Sequence, residues 1–186
     1  MNDPLVISLS PRAGGNSDQA AALFARSLDL SPRPVFLRDH VLEPCTGCGA
    51  CADDGRCRIG ADGAEELFTR LDSACGVVLT APVYFYHLPS QAKAWIDRAQ
   101  SRYMARQRGL RLPGFVRPAY VVLVAGRTRG EHLFAGILPT LRYFLEVFDL
   151  RMENTLCLRG LDQAEDFSRD RAAADAVRDL ARSSGW

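Results

Sequence analysis

Short runs of consecutive apolar residues alternate along the chain with longer stretches in which apolar residues recur every three or four positions. The runs at 5–9, 35–37, 76–81, 119–125 and 155–158 read as strands. They lack a polar alternation, as expected of strands covered on both faces. Helical spacing predicts helices over 18–28, 64–71, 91–104, 131–148 and 163–182. In the first of these Ala21, Leu23, Phe24 and Leu28 share a face and Ser17 can cap the start. Pro89 and Ser90 open the third, and Pro139 is expected to interrupt or kink the fourth.

No internal repeat and no linker of domain-boundary composition breaks this order, so 1–186 reads as one α/β domain with a Cys-rich loop at 44–60. Five strands alternating with helices suit a flavodoxin-like three-layer sandwich with a five-stranded parallel sheet in the order 2-1-3-4-5. Ligands in such a sheet lie beyond the carboxyl ends of the strands, beside strand one. The loops after strands one, three and four are therefore where chemistry is expected.

The loop after strand one runs Ser10-Pro-Arg-Ala-Gly-Gly-Asn-Ser17. Gly14, Gly15 and Asn16 can take positive φ and turn N–H groups inward, and the following helix adds its N-terminal dipole. Ser10, Arg12, Asn16 and Ser17 add hydroxyl, amide and guanidinium donors. No Lys follows the glycines and GxGxxG is absent, so neither a Walker A loop nor a dinucleotide fingerprint is present. A single phosphate at the end of a flavin chain fits, against the alternative of a plain Gly-rich turn. The loop after strand three, Pro82-Val83-Tyr84-Phe85-Tyr86-His87, offers aromatic area and backbone amides where an isoalloxazine would lie. His87 reads as a polar surface residue.

Composition narrows the partners. The formal net charge is +1, which points to neither nucleic acid nor an acidic membrane. The run at 5–9 is too short for a signal peptide and no run approaches a membrane span, so the expectation is a cytoplasmic protein with reduced thiols. Four of six cysteines, Cys45, Cys48, Cys51 and Cys57, are spaced C-x2-C-x2-C-x5-C with glycine and alanine between the first three. That spacing matches the start of cluster-binding runs and is unlike the separated pairs of structural zinc. A [4Fe–4S] cluster and thiols that bind nothing are the two open readings. Cys75 and Cys157 read as small buried hydrophobes. Arg98, Arg102 and Arg106 fall four apart, followed by Arg108 and Arg111, and read first as a solvated face. An electron-carrier dock, a nicotinamide-phosphate site and a subunit contact rank behind it.

Ser10-Pro-Arg-x-x-Gly-Asn-Ser17, the Cys-rich segment, Ala81-Pro-Val-Tyr-Phe85 and Pro89-x-Gln-x-Lys-Ala-x-Ile-Asp-Arg98 together resemble the NADPH-dependent FMN reductase family, over residues 5 to about 150. The cysteine segment is similar to that of its iron–sulfur flavoproteins. Just after Cys57 the chain has Gly60-Ala61-Asp62 where many relatives carry an Asp-Asp pair. The resemblance implies bound FMN, with its phosphate at Ser10, Arg12, Gly15, Asn16 and Ser17. It places the ring against Pro82, Val83, Tyr84 and Phe85 and under Ala125, Gly126 and Arg127. It also implies a homodimer or homotetramer. Three functions follow as expectations: an FMN oxidoreductase relaying electrons through a cluster to a carrier such as ferredoxin, an NAD(P)H-dependent FMN or quinone reductase without one, or a non-catalytic flavin shuttle. No side chain is expected to act as nucleophile or base.

Overall fold

The computed structural model describes residues 3–186. Five parallel strands, β1 (Leu5–Ser8), β2 (Val35–Phe36), β3 (Val77–Pro82), β4 (Arg117–Ala125) and β5 (Leu150–Arg159), lie in the order β2-β1-β3-β4-β5. The expected 2-1-3-4-5 sheet is thus present. Ile7 pairs with Val35 on one side and Leu79 on the other, and Leu79 pairs with Val121. Alternation sends successive side chains to opposite faces. Ile7, Leu79 and Val121 pack with Leu67, Phe68, Trp95, Leu141 and Phe144. Val6, Val78 and Val122 pack with Phe24, Phe167, Val177 and Leu180.

The helices are α1 (Asn16–Arg26), α2 (Cys51–Asp54), α3 (Gly63–Ser73), α4 (Ser90–Arg98), α5 (Gln100–Gln107), α6 (Ile137–Glu146), α7 (Asp166–Arg169) and α8 (Arg171–Ser183), with a 3-10 turn at Leu37–Asp39. Rings of Phe68, Trp95, Phe144 and Phe148 form one contact group under α3, α4 and α6, with Trp95 and Phe144 centroids 4.9 Å apart.

Several boundaries differ from the sequence reading. The helix expected over 91–104 is two helices that meet at Ala99, where ψ opens to −4° within the right-handed region. The Ser101 hydroxyl donates to the Arg98 carbonyl there. Pro139 kinks nothing: α6 begins only at Ile137, so proline sits in the first turn, where its missing N–H has no helical acceptor. The helix expected over 163–182 splits where Asp170 takes an extended backbone and its carboxylate caps α8 by accepting the Ala173 N–H. Ser17 does not cap α1, whose extended N-cap is Gly15. The fifth strand is longer than 155–158 and lies at the sheet edge with much of its length exposed. Cys157 is accordingly exposed and Cys75 half-buried, so neither is the buried hydrophobe expected.

Arg108 is exposed as expected, but the rest of the arginine series is not a solvated face. Arg98 is 1% exposed and paired with Asp62 at 2.6 Å. Arg102 meets Glu65 at 2.7 Å, Arg106 meets Asp149 at 2.9 Å and Arg111 meets Asp72 at 2.5 Å. Four-residue spacing gave the right common face, but that face turns inward onto a row of carboxylates.

Candidate functional site

Asp18 shapes the loop after β1. Its carboxylate accepts the Ser8 hydroxyl at 2.6 Å and the Gly14 N–H at 2.8 Å, and Arg38 neutralises it at 3.0 Å. Gly14 sits at φ +70°, as such a fold-back requires. Within the loop the Ser10 hydroxyl donates to the Arg12 carbonyl and accepts the Arg12 N–H. No side chain caps α1. Its first-turn amides have no intrahelical acceptor and open on the cleft as anion donors. Ser17 is 2% exposed and its hydroxyl has no partner, which is costly unless something occupies the cleft. An orphaned hydroxyl beside uncapped amides is what a phosphate would complete.

Asn16 is placed differently from the Ser17 hydroxyl. Its side-chain amide donates to the Leu161 and Gln163 carbonyls at 3.0 and 2.8 Å, and its oxygen accepts the Phe167 N–H at 3.0 Å. The side chain is committed to the segment after β5, so its backbone amide is what faces the cradle. Arg12 stays exposed at the rim.

The loop after β3 pairs back through Val83, whose N–H donates to the Val124 carbonyl at 2.8 Å. It then makes a two-residue hairpin in which Tyr84 and His87 exchange both backbone hydrogen bonds at 2.9 Å. Its central residues, Phe85 and Tyr86, lie at φ +49° and +62°. This is the I′ geometry that Asn-Gly usually supplies, imposed here on two aromatics at a cost of about 1–2 kcal/mol each. Phe85 projects fully into solvent, and Tyr86 is braced by Arg127, 5.7 Å from its ring centre. His87 is half-buried, with Thr140 Oγ1 3.4 Å from its Nε2.

Two adjoining clefts result. One, of about 300 Å³, joins Ser10, Arg12, Gly15, Asn16 and Ser17 to Pro82, Val83, Tyr84 and Gly126. The other, of about 340 Å³, joins Val83, Tyr84 and Phe85 to Ala125, Gly126 and Arg127. Every flavin-site residue expected from sequence thus lines one of two clefts that share Val83, Tyr84, Gly126 and Asp162. Sequence reasoning missed Val124, Leu133, Leu161, Asp162 and Ala164. Asp162 follows the fifth strand, and the rule that pointed to the other loops applies there equally. A Cβ on Gly126 would stand 2.4 Å from Asp162 Oδ1 and 3.1 Å from its Cβ, so a larger residue here would push the Asp162 side chain aside.

The four clustered cysteines line a separate cavity of about 300 Å³ together with Arg58 and Arg98. Gly47 and Gly49 turn the loop at φ +67° and +74°. At Gly55 (φ +73°) a Cβ would meet Ala105 Cβ at 2.7 Å, so α2 sits tightly against α5. Burial and the neighbouring thiols push the Cys51 thiol up. The Ala50 backbone N–H, Thr46 and the charge of Arg58 pull Cys48 down. Among the described residues no three His, Cys, Asp or Glu side chains are arranged to hold a single metal ion. Four thiols around one roomy, mostly apolar cavity with two guanidinium groups at its wall do fit an anionic polynuclear group, which needs more space than an ion. Asp62, despite burial, is held below the usual carboxylate range by hydrogen bonds from Arg98. Among the described residues no helix is long and apolar enough to cross a membrane.

A family model described as NADPH-dependent FMN reductase matches residues 4–151. An iron–sulfur flavoprotein of Methanosarcina thermophila is 36% identical over 96 residues, which cover 50% of this chain and 50% of that protein. The chain thus spans about half the length of that curated relative. Among solved structures, a Trp repressor binding protein from Bacillus subtilis superposes with a TM-score of 0.65 at 17% identity, over 96% of this chain and 97% of the other. An FMN-dependent NADH-azoreductase from Bacillus anthracis, in complex with FMN, does so with a TM-score of 0.63 at 17% identity, over 98% and 99%. Likeness at such identity speaks for the fold alone.

Proposed function

Since the chain belongs to the NADPH-dependent FMN reductase family, we propose that it is an FMN-dependent oxidoreductase in which the cysteine loop holds a [4Fe–4S] cluster that relays electrons to an external carrier. The observation that carries the flavin reading is the partnerless Ser17 hydroxyl at the uncapped start of α1, beside a cleft walled by Pro82, Val83 and Tyr84. FMN supplies two-electron acceptance with release singly or in pairs, and a cluster supplies single-electron relay.

The chain's own part is to bind and orient. Amides of Gly15, Asn16 and Ser17, the Ser17 hydroxyl and Arg12 hold the phosphate. The Asp18–Arg38 pair keeps the loop folded without leaving a bare carboxylate beside it. The Tyr84–His87 hairpin presents an aromatic wall and backbone amides to the ring edge, while Gly126 and Arg127 close the other side. Cys45, Cys48, Cys51 and Cys57 supply the thiolates. Arg58 and Arg98 stand at the wall of their cavity as guanidinium donors to them.

A second reading draws on the exposure of the Cys45 and Cys48 thiols. Here NAD(P)H reduces FMN, a quinone or similar acceptor takes the electrons, and the thiols stay free. NAD(P)H, quinone and ferredoxin are the candidate partners, in a cytoplasmic homodimer or homotetramer. An anaerobic visible spectrum with flavin, iron and sulfide analysis decides. Two flavin bands with a broad brown shoulder, and iron equal to sulfide, support the first reading. Flavin bands alone after reconstitution, bleached by NADPH, support the second and overturn the first.

A further inference from the structure

The role of Arg98 goes beyond ion pairing. Its Nη1 donates to the Glu43 carbonyl at 2.9 Å and to Asp62 Oδ2 at 2.6 Å, and its Nη2 reaches the Gly60 carbonyl at 3.4 Å and Asp62 Oδ1 at 3.2 Å. Glu43 stands two residues before Cys45, and Gly60 three after Cys57. Asp62 in turn accepts the Glu43 N–H at 3.1 Å and caps α3 through the Ala64 and Glu65 N–H groups. One guanidinium and one carboxylate therefore clasp both stems of the cysteine loop. The Arg98 side chain is wholly buried, and it lines the four-thiol cavity. With both terminal nitrogens engaged by oxygens, Nε is the donor left over, buried and without a hydrogen-bond partner, and the side chain already lies beside the Cys57 thiol. The pair is neutral, so the thiolates bring charge that this spare N–H can meet.

We propose that Arg98 is a positioning and potential-setting residue of the thiolate site: its terminal nitrogens close the neck of the loop, and its Nε–H is held for a sulfur of the bound group. This rests on the cluster reading above. A buried guanidinium N–H that is still free favours the more negative, reduced state, since charge-assisted hydrogen bonds strengthen as the acceptor gains charge. Within the series Arg98 alone lines the thiol cavity, while Arg102, Arg106 and Arg111 face carboxylates away from it.

Lysine in this place keeps the charge but loses the fork and the Nε–H. The test compares wild type, Arg98→Lys and Arg98→Gln after anaerobic reconstitution with iron and sulfide. It reads iron and sulfide per chain, FMN content and the cluster midpoint potential. We expect Arg98→Lys to retain both cofactors with about a tenfold loss in the one-electron reduction equilibrium, about 59 mV more negative. We expect Arg98→Gln to keep FMN and hold less than half the wild-type iron. If Arg98→Gln does not fold, the potential of Arg98→Lys carries the test. Wild-type potential in Arg98→Lys overturns the role of Arg98 and leaves the cluster standing. A wild-type chain that takes up neither iron nor sulfide overturns both.

Discussion

Replacing Ser17 with alanine should move ligand affinity and chain stability in opposite directions. The Ser17 hydroxyl is 2% exposed and partnerless. Its backbone carbonyl already accepts the Thr80 hydroxyl at 2.9 Å, a bond the substitution leaves in place. In the free chain alanine removes an unsatisfied buried oxygen and raises helix propensity. The expected stability change is zero to about 1 kcal/mol in the favourable direction. In the complex the hydroxyl would donate to a phosphate dianion. Hydrogen bonds to charged groups are worth about 1.5–3 kcal/mol, so the FMN dissociation constant should rise roughly 10- to 150-fold. Riboflavin has the same ring and sugar chain without the phosphate, and its affinity should stay within about twofold. Quenching of flavin fluorescence gives both constants, and urea unfolding of the apo-chain gives the stability. An FMN affinity unchanged in Ser17→Ala, or a riboflavin affinity that falls with it, would refute the phosphate assignment.

Other outcomes follow from the same geometry. Asn16→Ala loses three hydrogen bonds to the 161–167 segment. It should lower the urea midpoint of the apo-chain by an amount worth about 2–3 kcal/mol at unchanged slope, the reverse of Ser17→Ala. Phe85→Asn with Tyr86→Gly gives the hairpin residues suited to positive φ. It should stabilise the chain by about 1–2 kcal/mol in thermal unfolding while weakening riboflavin and FMN alike, because the aromatic wall is gone. Asp62 is depressed in the folded chain, so its contribution is present above the unfolded carboxylate pKa of about 3.9 and is lost as pH falls through its lower folded value. Acid unfolding followed by circular dichroism should show a loss below about pH 4 that is reduced in Asp62→Asn.

The sheet order was legible because the central strands β1, β3 and β4 are short, largely apolar runs covered on both faces, and the connections are helical. Pro82 and Ser10-Pro11 mark where the functional loops leave the sheet. Residue type alone did not separate neighbours. Asn16 and Ser17 both offer a polar group at the start of α1, yet one braces the next loop and the other is left without a partner. That division depends on where the 161–167 segment passes, which only the tertiary fold sets. The arginine spacing was legible as one face, but the carboxylates it meets come from elsewhere in the chain, Asp62, Glu65 and Asp72 from α3 and its cap and Asp149 from the turn before β5. Cys157 was misplaced because an apolar run does not distinguish a central strand from an edge one. The strain at Phe85 and Tyr86 left no trace in the sequence, since neither residue favours positive φ.

The central claim is that one cleft at the carboxyl ends of β1, β3 and β4 grips a phosphate at one end and a flavin ring at the other. Titrating the 15N-labelled apo-chain with FMN, and following its assigned amide resonances, tests this most directly. The account predicts saturable shifts at Gly15, Asn16 and Ser17 together with Tyr84, Phe85 and Gly126, and with riboflavin only the last three. Shifts confined to other parts of the molecule, or none at all, would contradict it.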